Sequence, residues 1–219
     1  VHKENASEIK YLQEYERGNQ PILNRVKDIR PEINFRAVEN HAAEITAFKV
    51  GYVFGSPITF VQRASVDVDG VSGETDDKRI SVLNEMMFEE SKRTQDQRLG
   101  KDISVCGIGY RLVLPRKDKV GISAFTLTRL NPRTTFIVKF NDIYKTPALA
   151  CTYVELEDGT VRFGAYTGSE YYTIEFSTAG WEITSMSGLK LGAIPIVEYK
   201  NDDERMGCFE RVIPLLDAL

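Results

Sequence analysis

Along the first half of the chain, apolar residues return at helical intervals, and from Tyr110 onward the interval shortens to two. Ile9, Leu12 and Tyr15 fall on one helical face, with Asn5 and Ser7 as candidate N-caps and Gly18 as the stop. Val38, Ala42, Ile45, Phe48 and Tyr52 predict a second helix from roughly Phe35 to Val53, closed by Gly55 and Pro57. "PITFV" then reads as a short strand. Thr75, Asp76 and Asp77 are placed to cap a third helix through "ISVLNEMMFEE", where carboxylates meet the exposed N–H groups of the first turn. A fourth helix is expected from about Ser91 to Val105, broken by Gly107 and Gly109.

The segments "YRLVL", "ISAFTLTRL", "TTFIVKF", "ALACTYVEL", "TVRFGAYT", "EYYTIEFS" and "WEIT" are short, rich in β-branched and aromatic residues, and bounded by turn residues. Asp158-Gly159 predicts a two-residue type I′ hairpin, whose central positions need positive φ. The hairpin order implies an antiparallel meander, and helices followed by a meander imply an α+β fold. The last stretch, "IPIVEYKNDDERMGCFERVIPLLDAL", reads as a buried strand, a charged turn, a glycine and an amphipathic helix. In that helix Ile213, Leu215, Leu216 and Leu219 make an apolar stripe that needs a partner, and Pro214 interrupts it early. The expectation is a piece of a longer protein.

With 219 residues the chain suffices for one large domain or two small ones. Its composition is ordinary for a globular protein, with 42% hydrophobic and 27% charged residues. No apolar run approaches bilayer length, and the polar start "VHKENASEIKYL" has no signal core, so a soluble protein made in a cytoplasm is expected. The net charge of −4 argues against a surface that grips nucleic acid throughout. Cys106, Cys151 and Cys208 are odd in number and far apart, which indicates reduced, mostly buried thiols rather than a disulfide framework or a zinc site. The loop from Arg63 to Asp77 is too polar to pack a core of its own.

Candidate chemistry is sparse. No phosphate loop with its lysine is present, and Gly107-x-Gly109 follows a helix, so it reads as a helix stop and tight turn. "DVDGVSGETDDK" resembles a calcium loop but has Gly70 at the fourth place and Lys78 at the twelfth, where that loop needs its turn glycine at the sixth and a bidentate glutamate. His41 and Cys106 are a conceivable nucleophile–base pair, but nothing in the sequence brings them together. The sharpest catalytic candidate is Glu198-x-Lys200 after "IPIV". An acid and a lysine two apart on a strand project to one face, and Asp142 or Asp158 would complete a Mg²⁺ site of a metal-dependent nuclease or other DNA-processing enzyme. Tyr166, Tyr171, Tyr172, Phe176 and Trp181 offer a stacking surface for bases, but basic residues are sparse among them, which favours cross-strand core pairs.

Taken in order, several blocks resemble one family. They are "YLQEYERGNQPIL" (Tyr11 to Leu23), "VENHAAEITAFKVGYVFGSPITF" (Val38 to Phe60), "ISVCGIGYRLVL", "LNPRTTFIVKFND", and "LGAIPIVEYKNDDERMGCFERVIPLLDAL" with its Ile-Pro-Val-Ile-Glu-Tyr-like strand. Together they are similar to the portal proteins of tailed double-stranded DNA phages, in the branch found in siphoviruses of Gram-positive hosts. The resemblance implies a virion protein, made in the bacterial host cytoplasm, whose full-length form makes a dodecameric ring with itself at one capsid vertex; the 219-residue piece need not form the ring on its own. It implies that double-stranded DNA passes through the ring without sequence-specific contact. The implied partners are the terminase, capsid and scaffold proteins, and head–tail adaptors. No membrane contact, cofactor, metal or catalytic residue of its own is implied, because ATP hydrolysis belongs to the terminase. Within that frame residues 1–62 correspond to the N-terminal helical part of the wing and 63–77 to a polar loop. Residues 78–206 would supply the remaining helices and the antiparallel sheet of the wing, and 207–219 the start of a helix leading to the stem. A head–tail adaptor built on an α+β domain is the remaining non-enzymatic alternative.

Overall fold

The computed structural model describes residues 2–26, 28–29, 31–32, 36–61, 74–116, 121–178 and 180–217, and within 74–77 the backbone only. Five helices and eight strands appear in the expected α+β order: α1 (His2–Glu16), α2 (His41–Phe54), α3 (Glu74–Glu89), α4 (Lys92–Cys106), β1 (Ile108–Pro115), β2 (Phe125–Leu130), β3 (Thr135–Lys139), β4 (Pro147–Glu155), β5 (Val161–Tyr166), β6 (Glu170–Ser177), β7 (Gly180–Gly188), β8 (Ile196–Lys200) and α5 (Ile213–Leu216). Asn5 and Ser7 lie inside α1 rather than before it, and His2 at its first position packs against the Phe136 ring and edge-on to Tyr153. α2 starts later than its apolar spacing suggests. Asn40 caps it by accepting the Ala43 N–H (3.2 Å), and its amide donates to the Glu16 carbonyl (2.8 Å). Thr75 to Asp77 fall within the first turns of α3. Most of the polar loop, and with it most of the calcium-like segment, lies outside the described residues.

"PITFV" forms no strand. Its Phe60 backbone N–H and C=O are instead both taken by the Asn84 side chain of α3, at 2.9 Å each, so a single amide serves as the partner a strand would need.

α4 is the centre of the helical layer, touching α1, α2, α3, β1 and β2. Gly100 allows this: a Cβ there would stand 2.3 Å from the Phe54 ring of α2, so only hydrogen lets the two helices close. Gly107 ends α4 with φ +71 and sends its N–H back to the Ile103 carbonyl. The chain then enters β1 directly.

The strands divide into two sheets rather than one meander. β8 returns to pair with β1, giving an antiparallel three-stranded sheet in the order β2-β1-β8, while β3 to β7 form a five-stranded meander. The β4–β5 turn also differs from a two-residue hairpin. The Gly159 N–H bonds to the Leu156 carbonyl (3.0 Å), Leu156 N–H reaches Thr160 (2.9 Å), and only Gly159 has positive φ (+79). Asp158 stays at negative φ and accepts the Thr160 N–H (2.9 Å), so the turn is a three-residue loop closed by a left-handed glycine.

The core lies between the helices, the three-stranded sheet and the near end of the meander: Ile9, Leu12, Tyr15, Val105, Ile108, Tyr110, Ala150, Tyr166, Ile196 and Phe209. Tyr15 and Phe209 are fully buried and stack at 5.9 Å, and Tyr15 Oη donates to Asp217 (2.7 Å). Burying side chains of this size stabilises by about 2–3 kcal/mol each. The expected amphipathic helix is thus a single 3₁₀ turn and the four-residue α5. Ile213 and Leu216 pack on this core, Leu215 is exposed, and Leu219 lies outside the described residues. Among the described residues no helix is long and apolar enough to cross a membrane.

Candidate functional site

Glu198 and Lys200 do share one face of β8, as alternation requires, but their surroundings are structural. Glu198 stands directly opposite Tyr110 in the β1–β8 register, accepts its hydroxyl (3.1 Å), and pairs with Arg205 (2.8 Å). Burial, and then the Glu198 charge, push the Tyr110 phenol above its ordinary range, so it stays a donor to this carboxylate. Lys200 lies opposite Ile108 at the exposed end of the strand. Asp142 accepts the Thr146 hydroxyl (3.1 Å) in the β3–β4 turn, and Asp158 is in the β4–β5 turn. Among the described residues, no group of three or more His, Cys, Asp and Glu side chains is placed to hold a metal ion. Glu198 is therefore engaged within the β1–β8 sheet, and Asp142 and Asp158 belong to two separate turns.

His41 and Cys106 are also separate. His41 is the first residue of α2, beside Glu39 and Glu44, and the Glu44 hydrogen bond (2.9 Å) holds its imidazole above its ordinary pKa. Cys106 receives the Gln13 amide, and burial pushes its thiol up to about 12, far from a thiolate at neutral pH. Among the aromatics, Tyr166–Tyr171 and Phe176–Trp181 are cross-strand neighbours with ring centroids 4.6 Å apart. Only the first pair reaches the core.

The feature that sequence reasoning missed is a cleft of about 330 Å³ between the end of α1, the middle of α4 and β2. It is lined by Arg17, Arg98, Lys101 and Arg129, by Glu16 and Asp102, and by Gln13, Val105 and Cys106 on its floor. Both carboxylates are nearly buried and already matched: Lys101 bonds Glu16 at 2.9 Å, and Arg129 clasps Asp102 through Nε and Nη2. Burial raises the Asp102 carboxyl above its ordinary value, with the Arg129 hydrogen bonds and charge pulling against it.

Two guanidinium groups are left over. Arg17 is mostly exposed, with Glu14 at 3.7 Å, and no carboxylate among the described residues pairs with Arg98. The cleft therefore carries a surplus of positive charge on a chain whose net charge is −4. A concave site with low-dielectric walls and one sign of charge concentrates anions. The sequence held one local sign of it: Arg98 and Lys101 are three apart, and so share a face of α4. Arg17 and Arg129 join them only through the fold.

A family model described as "Phage portal protein, SPP1 Gp6-like" matches residues 1–219. No match to a curated protein was found.

Proposed function

The chain belongs to the phage portal protein family of the SPP1 Gp6-like type, and from that premise we propose that it is a structural subunit of the ring through which double-stranded DNA is packaged and ejected, and which joins head to tail. The observation that carries this reading is the match over residues 1–219, in which the ordered series of helices, strands and the terminal turn is covered as one unit. The engagement of Glu198 by Tyr110 and Arg205 supports a structural rather than an enzymatic role for the segment with the most enzyme-like sequence. The helices and sheets described above are read as the wing of the subunit. Its partners are further copies of itself, the terminase, capsid and scaffold proteins and head–tail adaptors. The acidic balance suits a protein past which DNA must slide, because each neutralised phosphate adds affinity and would slow translocation.

The test is genetic and visual. A phage that encodes this chain is expected, after deletion of its gene, to yield heads that contain no DNA and carry no tails. Complementation restores both, and the purified protein images as rings with a central channel. Full heads in the deletion strain would overturn the reading.

A further inference from the structure

Ring formation needs two different patches on each subunit, one accepting what the other presents, because head-to-tail contacts repeat around the axis. Building on the ring reading above, we propose that the basic cleft of one copy receives the acidic tip of the β4–β5 hairpin of the next copy, making a carboxylate–guanidinium contact between neighbouring subunits.

The tip is built to protrude. β4 and β5 are buried only near their bases, at Ala150, Cys151, Ala165 and Tyr166, and become exposed toward Glu155 and the turn. Within four residues the tip presents Glu155, Glu157 and Asp158. Neither Glu155 nor Glu157 has a cationic partner among the described residues, and the Thr160 N–H holds Asp158 in a fixed direction (2.9 Å). Gly159 tightens the turn to three residues, which gathers the carboxylates at the end of β4 and β5, beside the end of β6, where Val161 pairs with Phe176.

The cleft complements it in charge. Arg17 and Arg98 are the two cations without strong internal partners, and both line its rim, while Lys101 and Arg129 are already held by Glu16 and Asp102. Planar guanidinium forks suit carboxylates in particular.

A copy's own tip cannot fill its own cleft. α1 has 15 residues, which at 1.5 Å per residue is about 22 Å. Its first residue, His2, packs edge-on against Tyr153, two residues short of Glu155, whereas its last, Glu16, lines the cleft. The two patches thus lie at opposite ends of one helix length, the arrangement that a head-to-tail contact requires. Duplex DNA suits the cleft less well, since Glu16 and Asp102 sit within it and the chain as a whole is acidic.

The experiment is sedimentation velocity on the full chain over a concentration series, comparing wild type, Arg98→Glu, Glu157→Arg and the double variant, with circular dichroism as the folding control. Each single reversal is expected to weaken self-association by more than about tenfold. The double variant, in which the Arg98–Glu157 pair is reversed at every interface, should recover it. Raising ionic strength from about 0.1 M to about 1 M, which shortens the screening length from about 10 Å to about 3 Å, should weaken wild-type association as well. If wild type associates and the single reversals leave it unchanged, this contact is wrong and the ring reading stands. A wild type that stays monomeric at every concentration overturns this contact and leaves the ring reading to the imaging and deletion test above. A fluorescent duplex whose binding is abolished by Arg98→Glu, with self-association intact, would assign the cleft to phosphate and also overturn the proposal.

Discussion

The two sheets of this protein are made from similar strands but handle their surfaces in opposite ways. The three-stranded sheet is covered by α4 across β1 and β2. Arg111 and Arg129 stand directly opposite each other on β1 and β2, where like charges would repel, and α4 supplies Asp96 and Asp102 to neutralise them. Even the outer edge of β2 is closed by side chains. Glu90 accepts the Leu127 N–H (2.9 Å), while Gln95 accepts the Arg129 N–H (3.0 Å) and reaches the Leu127 carbonyl (3.4 Å). Among the described residues, the five-stranded meander has no such cover over its far end. Tyr153, Phe163, Ile174 and Ile183 form a row across four strands, and Trp181, Ile183 and Met186 on edge strand β7 are 64%, 63% and 64% exposed. Backbone groups on an uncovered edge are a template for pairing with another chain. The covered sheet holds the fold together, and the open one is what the fold presents.

The sharpest way to break this comparison is to remove a charge from the covered side. Asp96 is bonded to Arg111 (2.6 Å) and to Lys92, and both members of the Asp96–Arg111 pair are buried. Asp96→Ala leaves Arg111 buried and unpaired, and should lower stability by about 3–5 kcal/mol, read from the denaturant midpoint. A loss below about 1 kcal/mol would mean that packing, not charge matching, holds α4 to the sheet.

This region also marks what was legible in the sequence. Strand segments and the α+β order could be read, because local alternation and helical spacing write them into consecutive residues. The split into two sheets could not, since β8 pairs with β1 across some ninety positions of chain and alternation carries no information about partners. The start of α2 was misplaced because a cap, Asn40, overrides apolar spacing, and "PITFV" misled because an Asn84 side chain replaces the neighbouring strand. Glu198 and Lys200 stood out by spacing, yet Glu198 is explained by Tyr110 and Arg205, which are distant or inconspicuous in sequence. The basic cleft was hidden for the same reason: its four cations come from three elements.

A smaller effect is expected from uncovering the β2 edge. Gln95→Ala deprives the Arg129 N–H of its acceptor and should cost about 1–3 kcal/mol. Hydrogen exchange should quicken at Arg129 while Leu127 N–H, still held by Glu90, remains protected. Equal quickening at both would mean that the edge opens as a unit.

On the open side the same kind of truncation should matter less. Trp181 contacts Phe163 (5.2 Å) and Phe176 (4.6 Å) but is largely in solvent, so Trp181→Ala should lose only about 0.5–1.5 kcal/mol. A loss comparable to that of Asp96→Ala would show that the meander is as essential to stability as the covered sheet, and the contrast between them would fail.

The smallest and most specific effect is a titration. Glu89 at the end of α3 accepts the N–H groups of Ser123 (2.7 Å) and Ile122 (2.8 Å) and pairs with Arg116 (3.2 Å), tying the start of β2 to the helical layer. These bonds, the Ser123 N–H first, hold its carboxyl below the ordinary glutamate value of 4.5. A carboxylate whose folded pKa is depressed stabilises the protein above the unfolded value, and that contribution fades as pH falls through the folded value. The melting temperature should therefore decline from about pH 4.5 downward, with part of the decline belonging to this residue. Glu89→Gln retains an acceptor oxygen but no titrating charge, so it should be less stable than wild type at pH 7, and the two should converge as pH falls below the folded value. Melting curves of the pair across that window decide it: parallel curves would mean that Glu89 contributes nothing through its charge, and that the β2 entry is held by its backbone alone.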